Sequence, residues 1–137
     1  MIHERFRFLE HTADVKFEAF GGTKEELFEN CARAMTAVMT DDEVGHIRRK
    51  EIRIGAKRDE SLLFDFLSEL LFLLESEKLI VAAVPEIRIE DNRLIATLAG
   101  DDVQKYDVDG SVKAVTYNDM VIEERHGVWR AIVVLDI

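Results

Sequence analysis

The chain has 137 residues, 28 acidic against 18 basic, and a formal net charge of -10 at pH 7. With 47% hydrophobic and 34% charged residues, it has the length and balance of one folded domain, residues 1–137, and is too apolar to stay disordered. The negative charge repels phosphate backbones and anionic lipid headgroups, so no direct nucleic-acid binding is expected; such a surface suits cations or a basic partner groove instead.

Met1 to Phe8 carries His3, Glu4, Arg5 and Arg7 and no apolar leader-like run, so a cytoplasmic location is expected. Phe6 and Phe8 alternate with charged neighbours, and Val15, Phe17 and Ala19 alternate with Asp14, Lys16 and Glu18. This is the period of two that marks half-buried strands. Gly21 and Gly22 end the second strand, and Thr23 with Glu26 has the spacing of a capping box, opening a helix that should stop near Thr40. Leu27, Phe28, Cys31, Met35, Val38 and Met39 fall on one stripe of that helix. Cys31, the only cysteine, reads there as a small core residue and excludes an intrachain disulfide.

Ile52 and Ile54 alternate with charge and predict a third strand. From about Ser61 to Glu75, Leu62, Leu63, Phe66, Leu67, Leu70, Leu71 and Leu74 make a second helical stripe. Phe64, Phe72 and Leu73 widen it and imply burial on more than one side. Its apolar run, broken by Asp65, Ser68 and Glu69, is too short to cross a bilayer. Ile80 to Val84, Pro85, Ile87 and Ile89 lead through Asp91 and Asn92 to Leu94, Ala96 and Leu98, the pattern of a hairpin. Gly100 to Gly110, with four aspartates and two glycines, predicts a mobile loop. Val112 to Glu124 and Val128 to Ile137 are rich in β-branched residues and flank a tight turn at His126 and Gly127, predicting a second hairpin. The fold class is therefore α+β, two helices packed on mostly antiparallel sheets in a single domain.

Three places draw attention chemically. Asp136 continues a largely apolar row of Val128, Ile132 and Val134, where a buried carboxylate wants a cation or hydrogen-bond donors. The chain stops at Ile137, which sets an α-carboxylate beside it. Glu10 to Asp14 gathers carboxylates, the His11 imidazole and the Thr12 hydroxyl in a short connection; hard divalent ions take such oxygens, and an ordinary Asp or Thr turn uses the same residues. Lys113, in an apolar strand, either pairs with a carboxylate or phosphate or reaches out to solvent. No phosphate loop, zinc spacing or nucleophilic triad signature is present.

Phe8-Leu9-Glu10-His11-Thr12-Ala13-Asp14-Val15, Val112-Lys113-Ala114-Val115-Thr116-Tyr117 and Val133-Val134-Leu135-Asp136-Ile137 resemble the archease family, as does the helix around Leu62 to Leu71. The resemblance spans the chain in order. It implies an archease-like fold and a protein that binds a divalent cation, calcium first, and activates an RtcB-type RNA ligase in tRNA splicing by promoting its guanylylation and multiple turnover. The protein would then be an accessory factor and not itself an enzyme. By the same resemblance, Asp14, Asp136 and the Ile137 carboxylate hold the metal, His11 and Thr12 stand near it, and Lys113 is needed for activation. The pattern departs at Asn118 and Tyr106, where the family carries histidine, which favours oxygen-only coordination. Two rival readings are a chaperone-like modulator of a tRNA methylase's oligomeric state and a metal-dependent hydrolase with His11 as base.

Overall fold

The computed structural model describes residues 4–10 and 14–137. In chain order the elements are β1 (Phe6–Leu9), β2 (Val15–Gly21), α1 (Lys24–Met39), β3 (Arg48–Gly55), α2 (Asp59–Glu77), β4 (Leu79–Glu90), β5 (Arg93–Asp102), a 3-10 turn (Val103–Lys105), β6 (Ala114–Arg125) and β7 (Val128–Asp136). They build a four-stranded sheet ordered β1-β2-β7-β6 and a three-stranded sheet ordered β3-β5-β4. All the pairings are antiparallel. The architecture is the expected α+β, two helices on antiparallel sheets.

Local chemistry explains the boundaries. The Thr23 hydroxyl accepts from the Glu26 N–H at 3.0 Å, and the Glu26 carboxylate accepts from the Gly22 N–H at 3.1 Å. The capping box thus closes one residue further out than its ideal form. Thr40 caps the far end of α1. Asp91 and Asn92, at φ 51 and 59, turn the first hairpin, and His126 and Gly127, at φ 53 and 78, turn the second. Paired positive φ values of this kind suit the right-handed twist of the flanking strands. Pro85 sits where the register between β4 and β5 slips, so its missing N–H interrupts no regular ladder.

The core lies between helices and sheets. α1 packs on β2 and β4, and α2 packs on β6 and β4. Phe17, Phe28, Cys31, Met35, Phe66, Leu67, Leu98 and Val133 are all buried in one cluster, and burial pushes the Cys31 thiol far up, leaving it an inert packing group.

Two expectations are corrected. Phe72 is 60% exposed, because it follows Asp65 by seven residues and so shares the solvent row of α2, not the packed stripe. The Gly100 to Gly110 segment is ordered by its own aspartates. Gly100 to Asp102 complete β5, and the Asp102 carboxylate caps the 3-10 turn by accepting from the Gln104 N–H at 3.0 Å. Buried Asp101 accepts the Tyr106 hydroxyl at 2.6 Å, and that hydroxyl in turn accepts the Gly45 N–H at 2.9 Å. The Asp107 N–H donates to Asp42 and its carbonyl accepts from Thr40, while the Asp109 N–H donates to the Met39 carbonyl. The segment is stitched to the end of α1.

Candidate functional site at one end of the four-stranded sheet

The ladder between β2 and β7 runs from Gly21 opposite Trp129 to Val15 opposite Leu135. Asp14 and Asp136 are the next residues out on the two strands, so the register places them at the same sheet end. On the other side of β7, Ala114 stands opposite Asp136, and the Lys113 N–H donates to the Asp136 carbonyl at 2.8 Å. Asp14, from the start of the sequence, thus meets Lys113 and Asp136, from its end, at the ends of three neighbouring strands.

The surroundings differ from the sequence expectation in two respects. Asp136 is exposed, as are Lys113 and Ile137, while Asp14 is half-buried. Asp136 therefore has no burial penalty to relieve: the apolar row that precedes it also contains Arg130 and ends in water. Lys113 precedes β6 by one residue, so its ammonium is solvated and not enclosed in a two-sided strand. His11 and Thr12 lie outside the described residues. Among the described residues, no three His, Cys, Asp or Glu side chains come together as a metal-binding group.

Sequence reasoning missed the supports around this end. Between Thr116 and Val121 the β6 register slips, and Asp119 takes a left-handed conformation at φ 56. This bulge lets Asp119 reach Lys16 on β2 at 3.6 Å, spanning the intervening β7, and lets Tyr117 stack on Phe64 of α2 at 4.1 Å and 7°. An Asn-Asp dipeptide inside an alternating strand is the one signal that pointed to a bulge. Further along the sheet, nearly buried Glu18 receives Arg7 and Arg130, and Arg130 also holds Glu123 at 2.9 Å. Burial pushes the Glu18 carboxyl up, and the hydrogen bonds from Arg130 and Arg7 more than offset that, holding it below the ordinary value. This charge row ties all four strands together and holds the register on which the Asp14 and Asp136 juxtaposition depends.

The Archease protein family (MTH1598/TM1083) matches residues 6–137. The chain belongs to this family. The archease of Methanosarcina mazei is 41% identical over 141 residues, covering 98% of this chain and 97% of its own. The archease of Aeropyrum pernix is 38% identical, covering 93% and 94%. Among solved structures, protein 1598 of Methanobacterium thermoautotrophicum superposes with a TM-score of 0.80 at 34% identity, covering 97% of this chain and 99% of that one. An archease of Thermotoga maritima, termed a possible chaperone, superposes with a TM-score of 0.64 at 27% identity over the full length of both chains. The archease match takes in every strand and both helices, so the Asp14 and Asp136 sheet end lies within it.

No helix among the described residues is long and apolar enough to cross a membrane.

Proposed function

We propose that this archease is an accessory protein whose Asp14 and Asp136 sheet end carries a divalent cation, calcium first, and that it activates an RtcB-type RNA ligase in tRNA splicing. The observation that carries the reading is the register of β2, β7 and β6, which gathers Asp14, Asp136 and Lys113 from both ends of the sequence.

The donor set suits a hard ion. Two carboxylates and a main-chain oxygen of Ile137 are the ligand type that calcium takes, and no described nitrogen or sulfur ligand competes. Two side chains supply only part of a calcium shell, so water or partner groups complete it. The bound ion would supply positive charge at an otherwise acidic sheet end. Lys113 lowers the mutual repulsion of the carboxylates, and its exposed ammonium is available to a phosphate. An acidic protein presenting this end fits a basic active-site cleft, where oriented charge steers docking and adjusts the geometry of guanylylation. The exposed placement of Asp136, Lys113 and Ile137 suits a surface offered to a partner better than a closed catalytic pocket, which favours the accessory role over the hydrolase reading.

The test is multiple-turnover RNA ligation by a cognate ligase with GTP and metal. This chain is expected to raise turnover, and Asp14→Ala, Asp136→Ala and Lys113→Ala each to abolish most of that rise while the proteins stay folded. Stimulation that survives all three substitutions contradicts the reading. The chaperone-like alternative, favoured by what the Thermotoga maritima relative is termed, predicts instead that a tRNA methylase changes its size distribution in the presence of the Asp14→Ala protein.

A further inference from the structure

Every open sheet exposes two edge strands whose unpaired N–H and C=O groups invite another strand unless something blunts them. Here three of the four edges are blunted. Along β4, the α1 side chains of Glu29 and Glu25 accept the N–H groups of Val84 at 2.9 Å and Ile89 at 3.3 Å, and Thr36 donates to the Val81 carbonyl at 2.7 Å. β3 is a run of charge, Arg48 to Glu51 and Arg53. β6 is broken by the bulge between Thr116 and Val121 and pinned to α2.

Among the described residues the β1 edge has none of these devices. The Phe20 N–H donates to the Arg5 carbonyl at 2.9 Å, which makes Arg5 and Phe20 a hydrogen-bonded pair. Alternation along an antiparallel ladder then turns the N–H and C=O groups of Phe6 and Phe8 away from β2. Among the described residues neither has a partner on that side. Arg7 is drawn off this edge to Glu18, and Phe8 is 51% exposed.

Beside the edge lies a groove of about 500 Å³. Its floor is Phe6 and Phe8, and its wall is Arg33, Thr36 and Ala37, whose spacing puts them on one face of α1, followed by the cap residue Thr40. The Arg33 Nε is buried with no hydrogen-bond partner among the described residues. At the far end Asp41, Asp42 and Glu43 line the groove where α1 terminates with no basic residue in its last turn. The Asp42 carboxylate is taken by the Asp107 N–H, and Arg5 and His46 also line the groove; the Asp41 and Glu43 carboxylates and the negative end of the helix favour a cation at that end.

We propose that the β1 edge and this groove dock an extended, lysine- or arginine-bearing segment of a partner protein, added to the sheet as a fifth strand. Main-chain bonds to Phe6 and Phe8 would hold it, with alternate side chains in the groove. A basic side chain would meet Asp41 and Glu43. A second copy of this chain fits worse, because pairing β1 with itself brings together two acidic rims on molecules of charge -10. The inference does not depend on the cation reading.

The probe is an eight-residue alternating Lys-Val peptide with blocked ends, compared with its Glu-Val counterpart and followed by amide hydrogen exchange and titration. Saturating Lys-Val peptide is expected to slow exchange at Phe6 and Phe8 by about tenfold or more, and the Glu-Val peptide to leave them unchanged. Asp41→Asn with Glu43→Gln, both exposed positions, should weaken binding roughly three- to tenfold. Ala37→Met, which fills the groove, should weaken it further while the thermal midpoint holds. No change in Phe6 and Phe8 exchange with the Lys-Val peptide, equal binding of both peptides, or protection that tracks concentration of the protein alone through a dimer would each overturn the proposal.

Discussion

Glu18 shows how a single buried carboxylate can hold a register. It takes two guanidinium groups from strands on either side, and Arg130 passes the charge on to Glu123. Its folded-state carboxyl is held below the ordinary value, so its contribution to stability is present above the unfolded value near 4.5 and is lost as pH falls through the lower folded value. Glu18→Gln should therefore cost about 2–3 kcal/mol at pH 7, discounted for partly exposed arginines. The difference from wild type should shrink as pH drops below 4.5, measured by urea unfolding at a series of pH values. Asp101 behaves comparably: the Tyr106 hydroxyl and the Asp102 N–H hold its carboxyl low, while Asp101 holds the Tyr106 phenol high. Tyr106→Phe deprives both Asp101 and the Gly45 N–H of a partner, and a lower thermal midpoint with faster amide exchange at Gly45 is expected.

The elements whose chemistry was local could be read from sequence. Both hairpin turns, the Thr23 cap and the core stripe of α1 follow from dihedral preference and periodicity, which neighbours in the fold did not override. The reading failed where composition was followed over helix rotation and where tertiary contacts decided. Phe72 belongs by composition to the core of α2 and by rotation to its solvent face; after Gly100 the Asp101 and Asp102 carboxylates are staples, while exposed Asp107 and Asp109 are tied in through their N–H groups. Gly100 marks another tertiary constraint. A Cβ there would stand 2.0 Å from the Ile80 carbonyl oxygen across the β4–β5 ladder. Gly100→Ala should lower stability by about 1–3 kcal/mol, seen as a lower urea midpoint. Gly22→Ala, where a Cβ meets nothing within 4 Å, should leave that midpoint without loss.

At the scale of the whole molecule, what matters is that sequence-distant strands meet. β2 begins just after Asp14 and β7 ends at Asp136, and their antiparallel pairing brings these residues to one sheet end with Lys113 beside them. Alternation in sequence identified the strands, yet the strand order that makes β7 the neighbour of β2 is non-local, and only the family resemblance had linked the three residues. The reason first given for Asp136, a carboxylate trapped in an apolar row, does not survive its exposure; position, not burial, marks it. An exposed acidic sheet end should bind a cation weakly enough to respond to each ligand. Calorimetric titration of calcium into this chain and its Asp14→Ala, Asp136→Ala and Lys113→Ala variants therefore tests the central claim most directly. Saturable binding that weakens at least about tenfold on loss of either aspartate, and persists without Lys113, is predicted; wild-type affinity in the Asp136→Ala protein would contradict it.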